Sequence, residues 1–133
     1  MVIQEGSTWR KSEVRRRNAE EKTADCRFFA AGRVIAAPVT TMIADGVAVR
    51  VPDEDALEII LENVDHIVRV SDDEAREAMR IYFTATHNTV EGAGALALAA
   101  ALKERDTIRG KRVALVVSGG NVDREVFAKI LMD

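Results

Sequence analysis

The stretch from Val90 to Asn121 constrains the fold most. Glu91-Gly92-Ala93-Gly94 opens a run that stays apolar to Leu102. A polar break covers Lys103 to Lys111, Val113-Ala114-Leu115-Val116-Val117 follows, and Ser118-Gly119-Gly120-Asn121 closes the stretch. The first run is apolar nearly all round, so as a helix it must be buried on most sides. The five residues from Val113 do not alternate, which is the pattern of a central parallel strand covered on both faces. Glycines at the carboxyl end of such a strand lie where open α/β sheets bind ligands. Ser118 to Asn121 are therefore expected to form one wall of a site.

Composition excludes several classes. Hydrophobic residues make up 47% and charged residues 31% of the 133 positions, a balance that supports one domain with a core rather than a disordered chain. The net charge of -3 supplies no overall basic surface for nucleic acid or anionic membrane. Arg15-Arg16-Arg17 is offset by Glu13, Glu20 and Glu21. The run from Ala93 to Leu102 is too short to span a bilayer. Met1 to Arg17 has no apolar segment of signal-peptide length, so a cytoplasmic location is expected. The single cysteine, Cys26, excludes an internal disulfide and reads as a lone buried thiol.

Read in order, residues 1–22 form an atypical charged segment, expected as a solvated helix or a frayed end, ahead of a single α/β domain over residues 23–133. Thr23 to Ala31 suggests a short helix turning Cys26, Phe28 and Phe29 inward, stopped by Gly32. Val34 to Ala37 reads as extended. Ala44-Asp45-Gly46 is a turn, followed by an alternating extended piece from Val47 to Val51. Pro52-Asp53-Glu54-Asp55 starts a helix to about Asn63 that buries Leu57, Ile60 and Leu61. Ile67 to Val70 is a strand. Ser71-Asp72-Asp73-Glu74 is a capping box, and the helix it opens carries Ala75, Ala78, Met79, Tyr82 and Thr86 on one face. His87-Asn88 suits its end, with Asn in the left-handed conformation. Val122 to Leu131 is a last amphipathic helix burying Val122, Val126, Phe127, Ile130 and Leu131. Alternation of helices and strands implies an α/β fold with a partial parallel sheet flanked by helices.

The candidate site residues each admit two readings. Ser118-Gly119-Gly120-Asn121 lets a ligand approach the backbone closely and offers a hydroxyl that donates or accepts. From spacing alone it is first the form of a tight strand-to-helix turn with Asn121 as N-cap. Glu91 before Gly92 complements a helix dipole or serves as an acid. Asp45 before Gly46 is a turn residue or a group at a site mouth. His66 and His87 are far apart and surrounded by surface-type residues, a poor arrangement for metal ligation. No phosphate loop, dinucleotide fingerprint or zinc motif is present.

Taken together these pieces acquire a further meaning. Ala44-Asp45-Gly46-Val47-Ala48-Val49, Val90-Glu91-Gly92-Ala93-Gly94-Ala95-Leu96-Ala97, and Gly110-Lys111 with Val113 to Asp123 occur in that order. With Ala31-Gly32-Arg33-Val34-Ile35 and Pro38-Val39-Thr40-Thr41, this resembles the C-terminal part of the threonine/serine dehydratase family. Its members are pyridoxal-phosphate ammonia-lyases with the fold of the tryptophan synthase β subunit. The resemblance covers roughly residues 24 to 131. It implies β-elimination of a small hydroxy amino acid to a 2-oxo acid and ammonia. It also implies that Ser118 hydrogen-bonds the pyridine nitrogen of the cofactor, that Gly119, Gly120 and Asn121 shape the wall beside the ring, that Glu91 and Gly92 lie near the cofactor, and that Asp45 and Gly46 lie near the substrate mouth.

The departures from the family pattern matter as much. The five lysines are Lys11, Lys22, Lys103, Lys111 and Lys129, and none stands in the Ser-x-Lys-x-Arg-Gly context of the family's Schiff-base lysine. There is no run of four glycines for the cofactor phosphate. A family metal site near Asp25 lacks its usual Glu-Pro pair, so no metal is expected. The chain thus resembles a dehydratase without its N-terminal half, expected to be inactive alone. Its expected partner is that missing half or further copies of itself in a homo-oligomer, because apolar surface once covered would be exposed. Alternative functions are a non-catalytic α/β oligomerisation or partner-binding module, and a binder of small phosphate ligands at the helix starts near Gly92 and Val122.

Overall fold

The computed structural model describes residues 2–5, 8–9, 14–19, 31–34, 41–49, 51 and 53–133, the first three stretches as backbone only. Three strands come first: β1, Val2–Glu5, β2, Thr8–Trp9, and β3, Val14–Ala19. Helix α1, Glu54–Asn63, begins where the acidic run places it, with the Asp53 carboxylate accepting from the Ala56 N–H at 3.0 Å. It leads without a loop into strand β4, Val64–Val70. The capping box then forms as its spacing predicts. Ser71 Oγ accepts from the Glu74 N–H at 3.2 Å, and Glu74 Oε2 accepts from the Ser71 N–H at 2.8 Å. This opens helix α2, Asp72–Thr86. Helix α3 is Gly92–Lys103, strand β5 is Arg112–Ala114, and helix α4 is Arg124–Met132.

Small residues decide how closely the helices pack. Ala95, Ala99 and Ala100 on α3 join Ala75, Ala78 and Met79 on α2 in one core, and all are buried. Val68 and Val70 of β4, Val90, Leu96 and Ile130 complete this core. Met79, Val70 and Val90 are the largest side chains fully removed from solvent. Helix α4 also packs on α2, where Phe83 and Phe127 meet edge to face with centroids 5.6 Å apart. His66, which stands among surface-type residues in the sequence, ties β4 to the end of α3. Its Nδ1 lies 2.5 Å from Asp65 Oδ2 and its Nε2 lies 2.6 Å from Glu104 Oε1.

Strands β1 to β3 come from the segment expected to be a solvated helix or a frayed end. That expectation is corrected: β3 runs parallel to β4, pairing Arg16 with Ile67 and Ala19 with Val70. β1 is antiparallel to both β2 and β5, pairing Ile3 with Val113. A second correction concerns Val113 to Val117. Only Arg112–Ala114 is strand, it stands at the edge of the antiparallel group, and Val116 and Val117 are 68% and 48% exposed. Val113 and Leu115 are packed, against Ala101 and Ile108. The lack of alternation signalled a strand with two covered faces, but here one face is covered.

Smaller differences have local causes. Val47 closes a 3-10 turn, Asp45–Val47, rather than starting an extended piece, and Val49 and Val51 are exposed. Of the residues expected to be buried on α1, Leu57 is; Ile60 is half-buried and Leu61 is exposed. On α2 Tyr82 is half-buried and Thr86 exposed. On α4 only Ile130 is fully buried. Val122 precedes that helix, and Val126 is exposed. The left-handed residue after α2 is His87, at φ 57°, and not Asn88. Gly32 takes φ +62° after a helical Ala31, the stop that was expected. The rest of the predicted Thr23–Ala31 helix with Cys26, Phe28 and Phe29, the segment from Ile35 to Ala37 and Pro38 to Thr40 lie outside the described residues.

Candidate functional site

Three segments far apart in sequence meet at the start of α3. Glu91 stands at its N-cap in extended conformation, yet its side chain does not cap the helix. Its carboxylate Oε2 instead accepts from the Asn121 N–H at 3.0 Å, and its own N–H donates to the Gly119 carbonyl at 3.1 Å. Space is as important as bonding here. A Cβ on Gly119 would lie 2.6 Å from Glu91 Oε1, and one on Gly94 would lie 2.7 Å from the Gly119 carbonyl oxygen. Gly92 faces the third segment: a Cβ there would overlap the Ile43 carbonyl oxygen. Gly46 packs against Ala93, where a Cβ would be 3.2 Å from the Ala93 Cβ.

The segment from Thr41 to Gly46 is braced by α2. Asp72, in the first turn of that helix, accepts from the Thr41 hydroxyl at 2.7 Å and from the Met42 N–H at 2.9 Å. Thr41 Oγ1 in turn accepts from the Ala44 N–H at 3.1 Å, and Ala44 is fully buried. Neither Thr41 nor Asp72 was singled out from the sequence as part of a site. The pair is 31 residues apart, and Asp72 looked like an ordinary first-turn acid.

Of the residues expected at a site, Asp45, Glu91, Gly92 and Asn121 line a common cavity of about 260 Å³, together with Met79 and Asp123. Gly46 and Gly119 pack around the same Glu91 carboxylate. Ser118 and Gly120 are not part of the cavity lining. Asn121 does not cap α4; Asp123 takes that position. Ser118 is exposed, and among the described residues its hydroxyl has no hydrogen-bond partner. An exposed, unpartnered hydroxyl can donate to or accept from a ligand heteroatom. The cavity behind it does not suit a phosphate: Asp45, Glu91 and Asp123 line it and no lysine or arginine does. Charge repulsion disfavours a dianion there.

Comparison with known proteins gives this arrangement a family. The model of the family described as pyridoxal-phosphate dependent enzyme matches residues 10–119. The chain belongs to this family. It is 35% identical over 118 residues to an L-threonine ammonia-lyase of Thermotoga maritima, covering 89% of this chain and 28% of that protein. A crystal structure of a T.th. threonine deaminase superimposes with a TM-score of 0.76 at 37% identity, over 84% of this chain and 37% of that one. Serine racemase from Dictyostelium discoideum superimposes with a TM-score of 0.74 at 30% identity, over 84% and 36%. The fold is therefore that of pyridoxal-phosphate enzymes of the tryptophan synthase β type. The chain spans about a third of the length of these relatives. Pyridoxal phosphate is the cofactor of the family, and the acidic cavity does not fit its phosphate. No helix among the described residues is long and apolar enough to cross a membrane.

Proposed function

We propose that these residues form the pyridine-side wall of the cofactor site in a pyridoxal-phosphate ammonia-lyase. The enzyme would convert a small hydroxy amino acid, serine or threonine, to a 2-oxo acid and ammonia. The observation that carries this reading is the convergence of Gly46, Gly119 and Asn121 on the Glu91 carboxylate, beside a cavity that Asp45, Glu91, Gly92 and Asn121 line. In this reading the chain corresponds to the C-terminal part of the enzyme. Residues 23–133 are a single α/β domain whose parallel pairing is completed by β3 from residues 1–22, and β1 of that segment pairs with β5.

The bound cofactor would supply an electron sink for loss of the substrate α-proton and β-hydroxyl. Ser118 would hold the pyridine nitrogen through a neutral hydroxyl, which leaves that nitrogen largely unprotonated; a carboxylate there would keep a proton on it. Gly119 and Gly120 let the ring lie against the backbone. Glu91 and Gly92 stand beside the ring, and Asp45 with Gly46 borders the substrate entrance. The covalent anchor and the phosphate contacts must come from a further segment, since none of the five lysines has the anchoring context and no glycine run is present. The 133 residues by themselves are then without activity. Adding pyridoxal phosphate to the labelled chain should shift the amide resonances of Ser118 to Asn121, with no 2-oxobutanoate formed from threonine. Turnover would refute the inactivity, and shifts confined to another surface would refute the wall.

A second reading rests on a different observation. Ile59, Val116, Val117 and Leu102 are exposed apolar side chains, the kind of surface that marks association. A non-catalytic α/β module that self-associates, or pairs with a protein partner in the cytoplasm, would cover them. A monomer in light scattering at all concentrations counts against self-association.

A further inference from the structure

We infer that Glu91 is a positioning residue: it sets the cofactor wall through the backbone of Gly119 to Asn121. The inference rests on the function proposed above and deepens it.

Among the described residues, Ser118 to Asn121 belongs to no helix or strand, and three hydrogen bonds hold it. One is local, from the Val122 N–H to the Gly120 carbonyl. The other two both go to Glu91: its N–H donates to the Gly119 carbonyl and its carboxylate accepts from the Asn121 N–H. One residue therefore grips the loop at two points, once as a donor and once as an acceptor. A hydrogen bond to an ionised acceptor is roughly twice as strong as a neutral one.

The other end of the grip is rigid. Glu91 opens α3, and Gly92, Gly94, Ala95, Leu96, Ala99 and Ala100 of that helix are buried. The carboxylate lies at the positive end of the helix dipole, a favourable place for a negative charge, and it pairs with no lysine or arginine among the described residues. Its position is also enforced sterically. Gly119 leaves room where a Cβ would lie 2.6 Å from Oε1 and 3.0 Å from Oε2, and the missing Cβ of Gly46 would lie 3.7 Å from Oε1. Glu91 thus stands between the loop on the cofactor side and the turn on the substrate side. One oxygen of its carboxylate is engaged with the loop backbone.

The test is amide hydrogen exchange on the 15N-labelled chain, read together with resonance shifts on adding pyridoxal phosphate. In the unsubstituted chain the Asn121 amide, although on an exposed loop, should exchange more slowly than a free peptide. Glu91→Ala should speed that exchange by roughly tenfold or more, leave the Met79 amide in α2 unchanged, and weaken the pyridoxal phosphate shifts at Ser118 and Gly119. Glu91→Gln, which keeps an acceptor oxygen, should restore both. Gly119→Ala, which drives the carboxylate away without removing it, should behave as Glu91→Ala does. A change confined to global stability would raise exchange at Met79 as well and would overturn the positioning role. So would Asn121 exchange at the free-peptide rate in the unsubstituted chain, a measurement that holds even if a variant fails to fold. If pyridoxal phosphate shifts nothing while Asn121 still responds to Glu91→Ala, the grip stands and the cofactor reading falls.

Discussion

Helix α3 and the segment from Val113 to Val117 are both nearly continuous apolar runs, yet they end up in opposite environments. In α3 seven residues are buried, whereas Val116 and Val117 are largely open to solvent. A helix satisfies its own backbone, so it needs only side-chain neighbours, and alanine-rich surfaces on α2 and α3 provide them at close range. A strand needs lateral partners before its faces can be covered. β5 pairs along one edge with β1, stands at the edge of its sheet, and rests one face on Ala101 and Ile108. An apolar run therefore states a demand for burial; whether the demand is met depends on what lies beside it.

That contrast can be broken or sharpened by substitution. Met79→Ala, in the core shared by α2 and α3, should lower stability by about 2–5 kcal/mol in chemical denaturation, through lost contacts and a cavity. Gly92→Ala should cost about 3 kcal/mol despite the better helix propensity of alanine, because the new Cβ would overlap the Ile43 carbonyl. A neutral result there would mean that the Ile43 segment moves freely and that the site is not pre-formed.

Ser71→Ala removes one half of the capping box and should cost about 1 kcal/mol. The same box carries a pH signature. Burial works to raise the Glu74 carboxyl, but the Ser71 N–H and Lys103 outweigh it and hold that carboxyl below its ordinary value. A depressed folded-state value means that the contribution is complete above the ordinary carboxylate range and is lost as pH falls through the lower folded value. Glu74→Gln should flatten the acid limb of a stability-versus-pH curve. The smallest effect is expected where burial fails: Val116→Ser should change stability by less than about 0.5 kcal/mol. A larger loss would show that Val116 is covered in solution, in favour of self-association.

Much of the local structure was legible because it depends on neighbours in sequence. The capping box at Ser71 and Glu74, the start of α1 at Asp53, the stop at Gly32 and the buried character of α3 all follow from spacings within a helical turn or two. The order of Asp45-Gly46, Glu91-Gly92 and Ser118 to Asn121 was enough to suggest a pyridoxal-phosphate enzyme, and the match over residues 10–119 establishes that wider family. The N-terminal strands were not legible. Arg15-Arg16-Arg17 has no apolar alternation, and β3 exists through its parallel pairing with β4, about 50 residues away.

By itself the sequence determined where α1 and α2 begin and which face of α2 is apolar, because capping and periodicity act over short distances along the chain. It also determined that glycines accompany Glu91. Only the tertiary structure decided what those glycines are for: Gly92 admits the Ile43 carbonyl and Gly119 admits the Glu91 carboxylate. It also decided that Thr41 and Asp72 brace the turn before Asp45, and that Val116 and Val117 go uncovered. The brace and the Glu91 grip are contacts between residues far apart in the chain, where local spacing carries no information and the packing of α2 against α3 sets the distances.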